Sequence, residues 1–393
     1  MDLLRNAVQR YAWGSPTMLP RFLRVAADGT PQAEMWMGAH PSAPSHVRRN
    51  GVDRNLAQVI ADDPVAELGA GVAAHFAGRL PFLVKLLAAG EPLSLQAHPT
   101  RAQARAGFDR ENAAGLPLDS PQRLYRDANH KPEILCALSD FEGLCGFRPV
   151  AATVDLLSAI GGRTCVSLAE RLTGEGLQAV VTALLHSNAV IRAETVAGVL
   201  AACADAPQSP EVGWVLRLAE RYPGDIGVVV ALLLNLVRLA PGQALYLGPG
   251  NLHAYLGGLG VEVMANSDNV LRGGLTPKHV DVDELLAVLD FTPMADPVFL
   301  AAEVSPGVEV FDTPVPDFRL WVHTLGAGER VEVVSDGPQI LVCTSGEVLL
   351  EGVALVRGAS AYVRAGEHAA METTSRGGAT VHRCTVGDTD AMA

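Results

Sequence analysis

The stretch Pro92-Leu93-Ser94-Leu95-Gln96-Ala97-His98-Pro99 decides how the chain is read. Its polar and apolar side chains alternate with the period of a β-strand. Ser94, Gln96 and His98 fall on one face, and Leu93, Leu95 and Ala97 on the other. The apolar face belongs to a core. The opposite face presents an amide oxygen and an imidazole two positions apart and pointing the same way. That is either the polar side of an ordinary strand or half of a metal site, and imidazole favours zinc, copper, iron or nickel.

On the N-terminal side of this stretch, Pro81 opens a buried strand, Phe82-Leu83-Val84-Lys85-Leu86-Leu87, that ends at the turn Gly90-Glu91-Pro92. On the other side, Thr100 is placed to cap a helix over 100–114. Residues 1–50 are rich in Trp, Gly, Pro and His, with a strand expected over Ala33–Gly38, and residues 53–78 carry helical spacing broken at Pro64. From Val150 to about Ala240, Leu, Val and Ala recur at three- and four-residue spacing, which fits three or four amphipathic helices. Alternation returns at Pro241. Gln339–Thr344, the turn Ser345-Gly346-Glu347 and Val348–Leu350 read as a β-hairpin. The expected architecture is therefore mainly β with an α insertion. Residues 1–150 form the first part of a β domain, 151–240 a helical insertion, 241–300 the second part of the β domain, and 301–393 a smaller C-terminal β domain.

At 393 residues the chain is too long for one simple core. Only 19% of residues are charged against 49% hydrophobic, so a well-packed protein is expected. The formal net charge of −13 disfavours nucleic acid and anionic membrane as partners, and an anionic ligand would need a local positive patch. The six cysteines (Cys136, Cys145, Cys165, Cys203, Cys343 and Cys384) include no CxxC pair, and the opening MDLLRNAVQRYAWGS lacks a hydrophobic signal core. The most apolar run, Ile226–Val237, is too short to cross a bilayer. These features lead to an expectation of free thiols and a cytoplasmic location.

Two further segments can complete a site. Lys131-Pro132-Glu133 carries Glu133 into a strand beside apolar Ile134 and Cys136. In Gly248-Pro249-Gly250-Asn251-Leu252-His253-Ala254-Tyr255, a tight turn delivers His253 and Tyr255 to one face. Gln96, His98, Glu133 and His253 together suit zinc, and one carboxylate with three neutral groups leaves the ion about one unit positive. For each residue taken singly, a structural place in a strand is the alternative.

The segments QAHP at 96–99, NHKPE at 129–133, GNLHAYL at 250–256, VEVMANSDNVLRGGLTPKHVDV at 261–282 and YAWGS at 11–15 together resemble the type I phosphomannose isomerases. The resemblance runs in order over nearly the whole chain. It implies a cupin-like jelly roll, an inserted helical domain and a second cupin-like β-unit. It also implies one zinc per chain on Gln96, His98, Glu133 and His253, and interconversion of mannose 6-phosphate and fructose 6-phosphate. The family's active-site arginine falls on Arg272, and its other pocket residues on Trp13, Lys85, Ser94, Lys131, Tyr255, Glu262 and Lys278. The chain departs from the family at Arg10, where Asn often precedes the Tyr of the opening motif, and in its compact C-terminal β-unit.

Aldose–ketose isomerisation needs a base near C1 and C2, a stabiliser for the developing oxyanion and a grip on the phosphate. Arg272, permanently charged and rich in donors, suits the oxyanion, unless it is salt-bridged to Asp268 or Asp281. Glu262 and Lys131 are both candidates for proton transfer, and the sequence leaves that choice open. Lys278, after the turn Gly274-Leu275-Thr276-Pro277, suits the phosphate, together with Ser94, Lys85 or Arg272. Trp13 and Tyr255 are candidates to wall the sugar. No P-loop or dinucleotide fingerprint is present, and His186 reads as a surface or packing residue. Two rivals share this scaffold: an iron oxygenase using two histidines and a carboxylate, and a sugar-phosphate sensor without turnover. A phosphorylated hexose is the expected partner, and a monomer the expected state.

Overall fold

The strand Phe82–Ala89 is buried at every position in the computed structural model, which describes residues 1–388. Val84, Leu86 and Ala88 on one face join Met35, Met37, Ile134, Cys136, Val261 and Val263. That core runs on into Phe311, Leu320, Val322, Ile340 and Tyr362 of the C-terminal β-unit. Lys85 and Leu87 therefore point the other way, into a barrel. The outward faces of the strands are oily and pack onto neighbouring units, while the inward faces carry the charged side chains beside a second apolar cluster that includes Leu87, Leu135, Phe141 and Tyr255.

Two antiparallel sheets make the barrel. One orders Val298–Phe299, Ala244–Leu247, Glu133–Ala137, His253–Ala265, Phe82–Ala89, Glu34–Gly38 and Ala7–Gln9. In the other, His253–Ala265 pairs with Phe141–Phe147 and Leu95–Ala97, which continue to Leu234–Leu239 and Leu271–Gly274 respectively. The outer face of this second sheet (Leu95, Ala97, Leu144, Ala254, Leu271) packs on Val180, Val228 and Leu232 of the helical block. The barrel is thus clad on one side by helices and on the other by the C-terminal unit, the mainly β, cupin-like arrangement expected with its α insertion.

His253–Ala265 belongs to both sheets. Its first residues pair with Phe141–Phe147, and from Gly258 onward it pairs with Phe82–Ala89. The register shifts between Tyr255 and Gly257, and Gly258 takes φ +127°. A Cβ at Gly258 would lie 2.6 Å from Phe141 Cδ2 and 2.8 Å from the Asp140 carbonyl oxygen. Gly258→Ala is therefore expected to lower stability by about 2–4 kcal/mol, from backbone strain and overpacking together, measured as a fall in denaturant midpoint.

Several local expectations change. The alternating stretch forms a ladder only over Leu95–Ala97, and Pro99, which cannot donate to one, closes it on the far side of His98. Ser94 precedes the strand and His98 follows it. The helical block holds Val150–Ile160, Gly162–Glu175, Leu177–Leu185, Ala189–Asp205, Pro210–Arg221 and the single turn Gly227–Val230, six α-helices among the described residues where three or four were expected. Gly161 and Gly176, both at positive φ, cut what reads as one apolar run, and Asn188 and Ser209 cap the next starts. Leu234–Leu239, expected as helix, is a strand of the barrel. The expected hairpin is instead a corner. Gln339–Ser345 pairs with Ser360–Val363 and Ala379–Thr385, whereas Glu347–Leu350 pairs with Val353–Val356 and Ala369–Thr373. Gly346, at φ +68°, makes the bend, since a Cβ there would collide with the Gly378 carbonyl.

Other local expectations match. Thr100 caps Arg101–Ala113 in a reciprocal capping box with Gln103, and Pro64 starts a short helix, Pro64–Leu68. All six cysteines are buried and unpaired. Among the described residues no helix is long and apolar enough to cross a membrane.

Candidate active site

His253 stands opposite Gln96 in the ladder, and Arg272 stands opposite Gln96 on its other side. Cross-strand partners share a face, so all three side chains point into the barrel. Glu133 opens its strand between Met264 and Leu247. One Glu133 oxygen lies 3.5 Å from His98 Nε2 and the other 3.6 Å from His253 Nε2. Gln96 Nε2 is 3.3 Å from His253 Nε2. His98, Glu133 and His253 are all buried, with their ligand atoms within 4.8 Å of one another.

The surrounding hydrogen bonds decide which nitrogens face this point. His98 Nδ1–H donates to the Asn269 carbonyl at 2.8 Å, and His253 Nδ1–H to the Asn251 carbonyl at 3.0 Å. Both imidazoles therefore turn a bare Nε2 lone pair toward Glu133. Burial, and then Lys131, pulls His98 down to about 4, so the ring is neutral at neutral pH and its contact with Glu133 is no ion pair. Burial opposes ionisation of Glu133, but Lys131 at 3.0 Å outweighs it and holds the carboxyl well below its usual range. Lone pairs thus face lone pairs. His98 Nε2 and Glu133 Oε2 are buried without a hydrogen-bond partner, at about 1–3 kcal/mol each. A divalent cation relieves this, and two imidazoles, a carboxylate and the Gln96 amide, once turned to present its oxygen in place of Nε2, form a donor set that fits zinc.

The Asn269 side chain ties the neighbouring loops together. Its Nδ2 donates to the carbonyls of Asp127 and Asn129 at 2.8 Å each, and its Oδ1 accepts from the Arg126 backbone N–H at 2.7 Å. The NHKPE segment is held in this way to the residue that orients His98.

A second charged group lies along the same barrel wall. Lys85 stands opposite Glu262 on one side and Trp36 on the other. Its ammonium reaches Glu262 Oε2 at 2.7 Å and Glu34 Oε1 at 3.3 Å, while Trp36 Nε1–H donates to Glu34 Oε2 at 2.7 Å. Burial pulls Lys85 down, but Glu262 and Glu34 outweigh it and keep the ammonium charged. Burial pushes Glu262 up despite Lys85, which strengthens its hold on a proton. Sequence reasoning missed Glu34. Its signal was available: a carboxylate inside the strand expected over Ala33–Gly38, in phase with Trp36.

The remaining residues lie around these two groups. The Tyr255 ring is 6.2 Å from that of His253 and meets Phe141 edge-on at 5.4 Å. Trp13 is half-buried against the cluster that holds Tyr255 and Leu87, and Ser94 is half-buried just before Leu95–Ala97. Arg272 forms neither of the salt bridges considered for it. Asp268 sits 3.5 Å from His40, and Asp281 caps the helix Val282–Val288 through Glu284 N–H at 3.0 Å. Instead Arg272 neighbours Arg126 and Lys278. After burial, the mutual repulsion of these cations lowers Arg272 and Lys278. Among the described residues, none of the three has an acidic partner. Arg126 was also missed, although it lies only three residues before NHKPE. His186 is half-exposed, 3.3 Å from Asp283, and takes no part.

A family model, "Phosphomannose isomerase type I, catalytic domain", matches residues 1–150. The chain is 40% identical over 376 residues to the mannose-6-phosphate isomerase of Salmonella typhimurium, covering 93% of this chain and 95% of that one. It is 35% identical over 412 residues to the human protein of the same name, covering 94% and 95%. A solved structure of a zinc-bound mannose 6-phosphate isomerase superposes with a TM-score of 0.91 at 36% identity, over 98% of this chain and 99% of that one. Sequence, fold and site agree, and the chain belongs to the type I phosphomannose isomerase family.

Proposed function

We propose that this chain interconverts mannose 6-phosphate and fructose 6-phosphate through an enediol, with one zinc ion held by Gln96, His98, Glu133 and His253. The observation that carries this reading is the pair of orphaned atoms, His98 Nε2 and Glu133 Oε2, together with Arg126, Arg272 and Lys278, none of which has an acidic partner among the described residues. Bound zinc supplies a Lewis acid for the sugar oxygens. Glu262 takes the proton from C2 of the aldose and returns it to C1. Burial raises its affinity for that proton, and Lys85 keeps the carboxylate oriented between the two events. Lys131 is engaged by Glu133, so its share is to neutralise that carboxylate rather than to carry the proton. The Arg272 guanidinium, on the same face as Gln96, stabilises the enediolate oxygen. Lys278 and Arg126, beside Arg272, receive the phosphate, while Ser94, Tyr255 and Trp13 shape the approach. The buried thiols suit a reducing cytoplasm, and the chain is proposed to act as a monomer with no nucleic-acid or membrane partner.

The test is a coupled assay with mannose 6-phosphate, combined with metal analysis of protein purified without added metal. Zinc near one per chain, activity lost to a chelator and activity restored by zinc are the expected results. Near-stoichiometric iron with oxygen uptake would transfer the site to oxygenase chemistry, and binding without turnover would make the protein a sensor. Arg126→Ala is expected to raise KM about tenfold with little change in kcat, the worth of one charged hydrogen bond of about 1.5 kcal/mol. The effect should shrink at high salt.

A further inference from the structure

We propose that Asp317, contributed by the C-terminal β-unit, is a positioning residue for the active site, a role that rests on the isomerase reading above. Asp317 is fully buried in the loop between Val308–Phe311 and Arg319–Leu325. It faces away from its own unit and into the catalytic one. Its Oδ2 lies 2.8 Å from His130 Nε2, and both its oxygens lie 3.2 Å from Arg101 Nη2. Arg101 Nη2 and His130 Nε2 are themselves only 2.7 Å apart, so the carboxylate, the guanidinium and the imidazole form one closed cluster.

The positions of these two partners give the contact its meaning. Arg101 is the first residue of the helix Arg101–Ala113, three residues after His98. His130 immediately precedes Lys131 and lies three residues before Glu133. One carboxylate therefore clamps the two segments that deliver His98 and Glu133, in addition to the tie made between them by Asn269. The loop that presents it is stiff. Phe318 and Val315 are buried in the core shared by the two units, the Gly387 N–H donates to the Pro316 carbonyl at 3.0 Å, and Thr313 Oγ1 donates to the Phe318 carbonyl. A carboxylate suits this place because both partners are donors. An amide would turn an N–H toward one of them. The C-terminal unit thus does more than cover the barrel's oily face: it sets the relative placement of the two segments around the metal and Lys131.

The test uses the full chain loaded with zinc, in three forms: wild type, Asp317→Ala and Tyr362→Phe. The last removes a different contact between the same units, the Tyr362 hydroxyl donating to the Glu67 carbonyl at 2.9 Å, remote from Arg101 and His130. In Asp317→Ala, kcat is expected to fall by about tenfold or more with KM nearly unchanged, the range seen when a group supporting a metal ligand is lost. Formate should restore part of that kcat, and formamide, similar in size but uncharged, should not. Amide exchange in segments 98–104 and 127–133 should accelerate in Asp317→Ala and not in Tyr362→Phe. Unchanged exchange in those segments overturns the proposal, as does faster exchange with wild-type kcat. So does an equal loss of kcat in Tyr362→Phe. A wild-type protein with no isomerase activity would instead sink the functional reading, while the exchange comparison would still judge the clamp.

Discussion

Glu133→Ala is expected to remove zinc and turnover together, with metal affinity falling by more than about a hundredfold, beyond what loss of an indirect supporting group costs. Glu133 is the carboxylate of the proposed ligand set, lying 3.5 Å and 3.6 Å from two imidazoles whose bare nitrogens face it. Without it, an incoming dication meets two neutral rings and the Lys131 ammonium, which Glu133 now holds at 3.0 Å. That balance repels the ion. Competition with a chromophoric chelator reads the affinity directly, and the coupled assay reads the turnover. A variant that kept stoichiometric zinc and wild-type rates would remove Glu133 from the ligand set.

Arg272→Ala is expected to behave differently: zinc content unchanged, kcat down by about a hundred- to a thousandfold, the usual cost of deleting one preorganised oxyanion donor. Arg272 shares a face with Gln96 but makes no ion pair among the described residues, and desolvation already works against its charge. A guanidinium kept half-buried beside another arginine and a lysine is poised for an anion that arrives with the substrate. Arg272→Lys should recover only part of the rate, because an ammonium keeps the charge and loses the planar fork. Equal kcat in wild type and Arg272→Ala would assign the oxyanion to another donor.

Much of this was legible in the sequence. Alternation around Gln96, Glu133 and Glu262 put each on the face opposite its apolar neighbours, and those faces do form the barrel interior. Convergence of the four candidate ligands was not legible from spacing, because strand neighbours as far apart as Gln96 and His253, or Glu133 and Leu247, leave no local signature. It came from the resemblance of long motifs to a known family. The misread hairpin at Gly346 shows the limit from the other side. Local alternation cannot tell a strand that turns back on itself from one that crosses to a second sheet, because that choice is made by long-range partners such as Ser360–Val363. Arg126 and Glu34 escaped for a related reason, since a lone charge in a sequence does not reveal whether another element will bring it a partner. Asp317 lies outside every motif that carries the resemblance.

The strand His253–Ala265 acts as a single beam with a working end in each sheet, and the irregularity near Gly257 and Gly258 sets the phase between those ends. Removing one residue there would leave the imidazole end seated while rotating everything beyond by half a pleat. Glu262 would then be thrust among Phe311, Leu320 and Tyr362, and Val263 would occupy the place beside Lys85. A protein shortened in this way would still chelate its ion yet have no acid–base partner for it, so the length of this one turn acts as a ruler between binding and turnover.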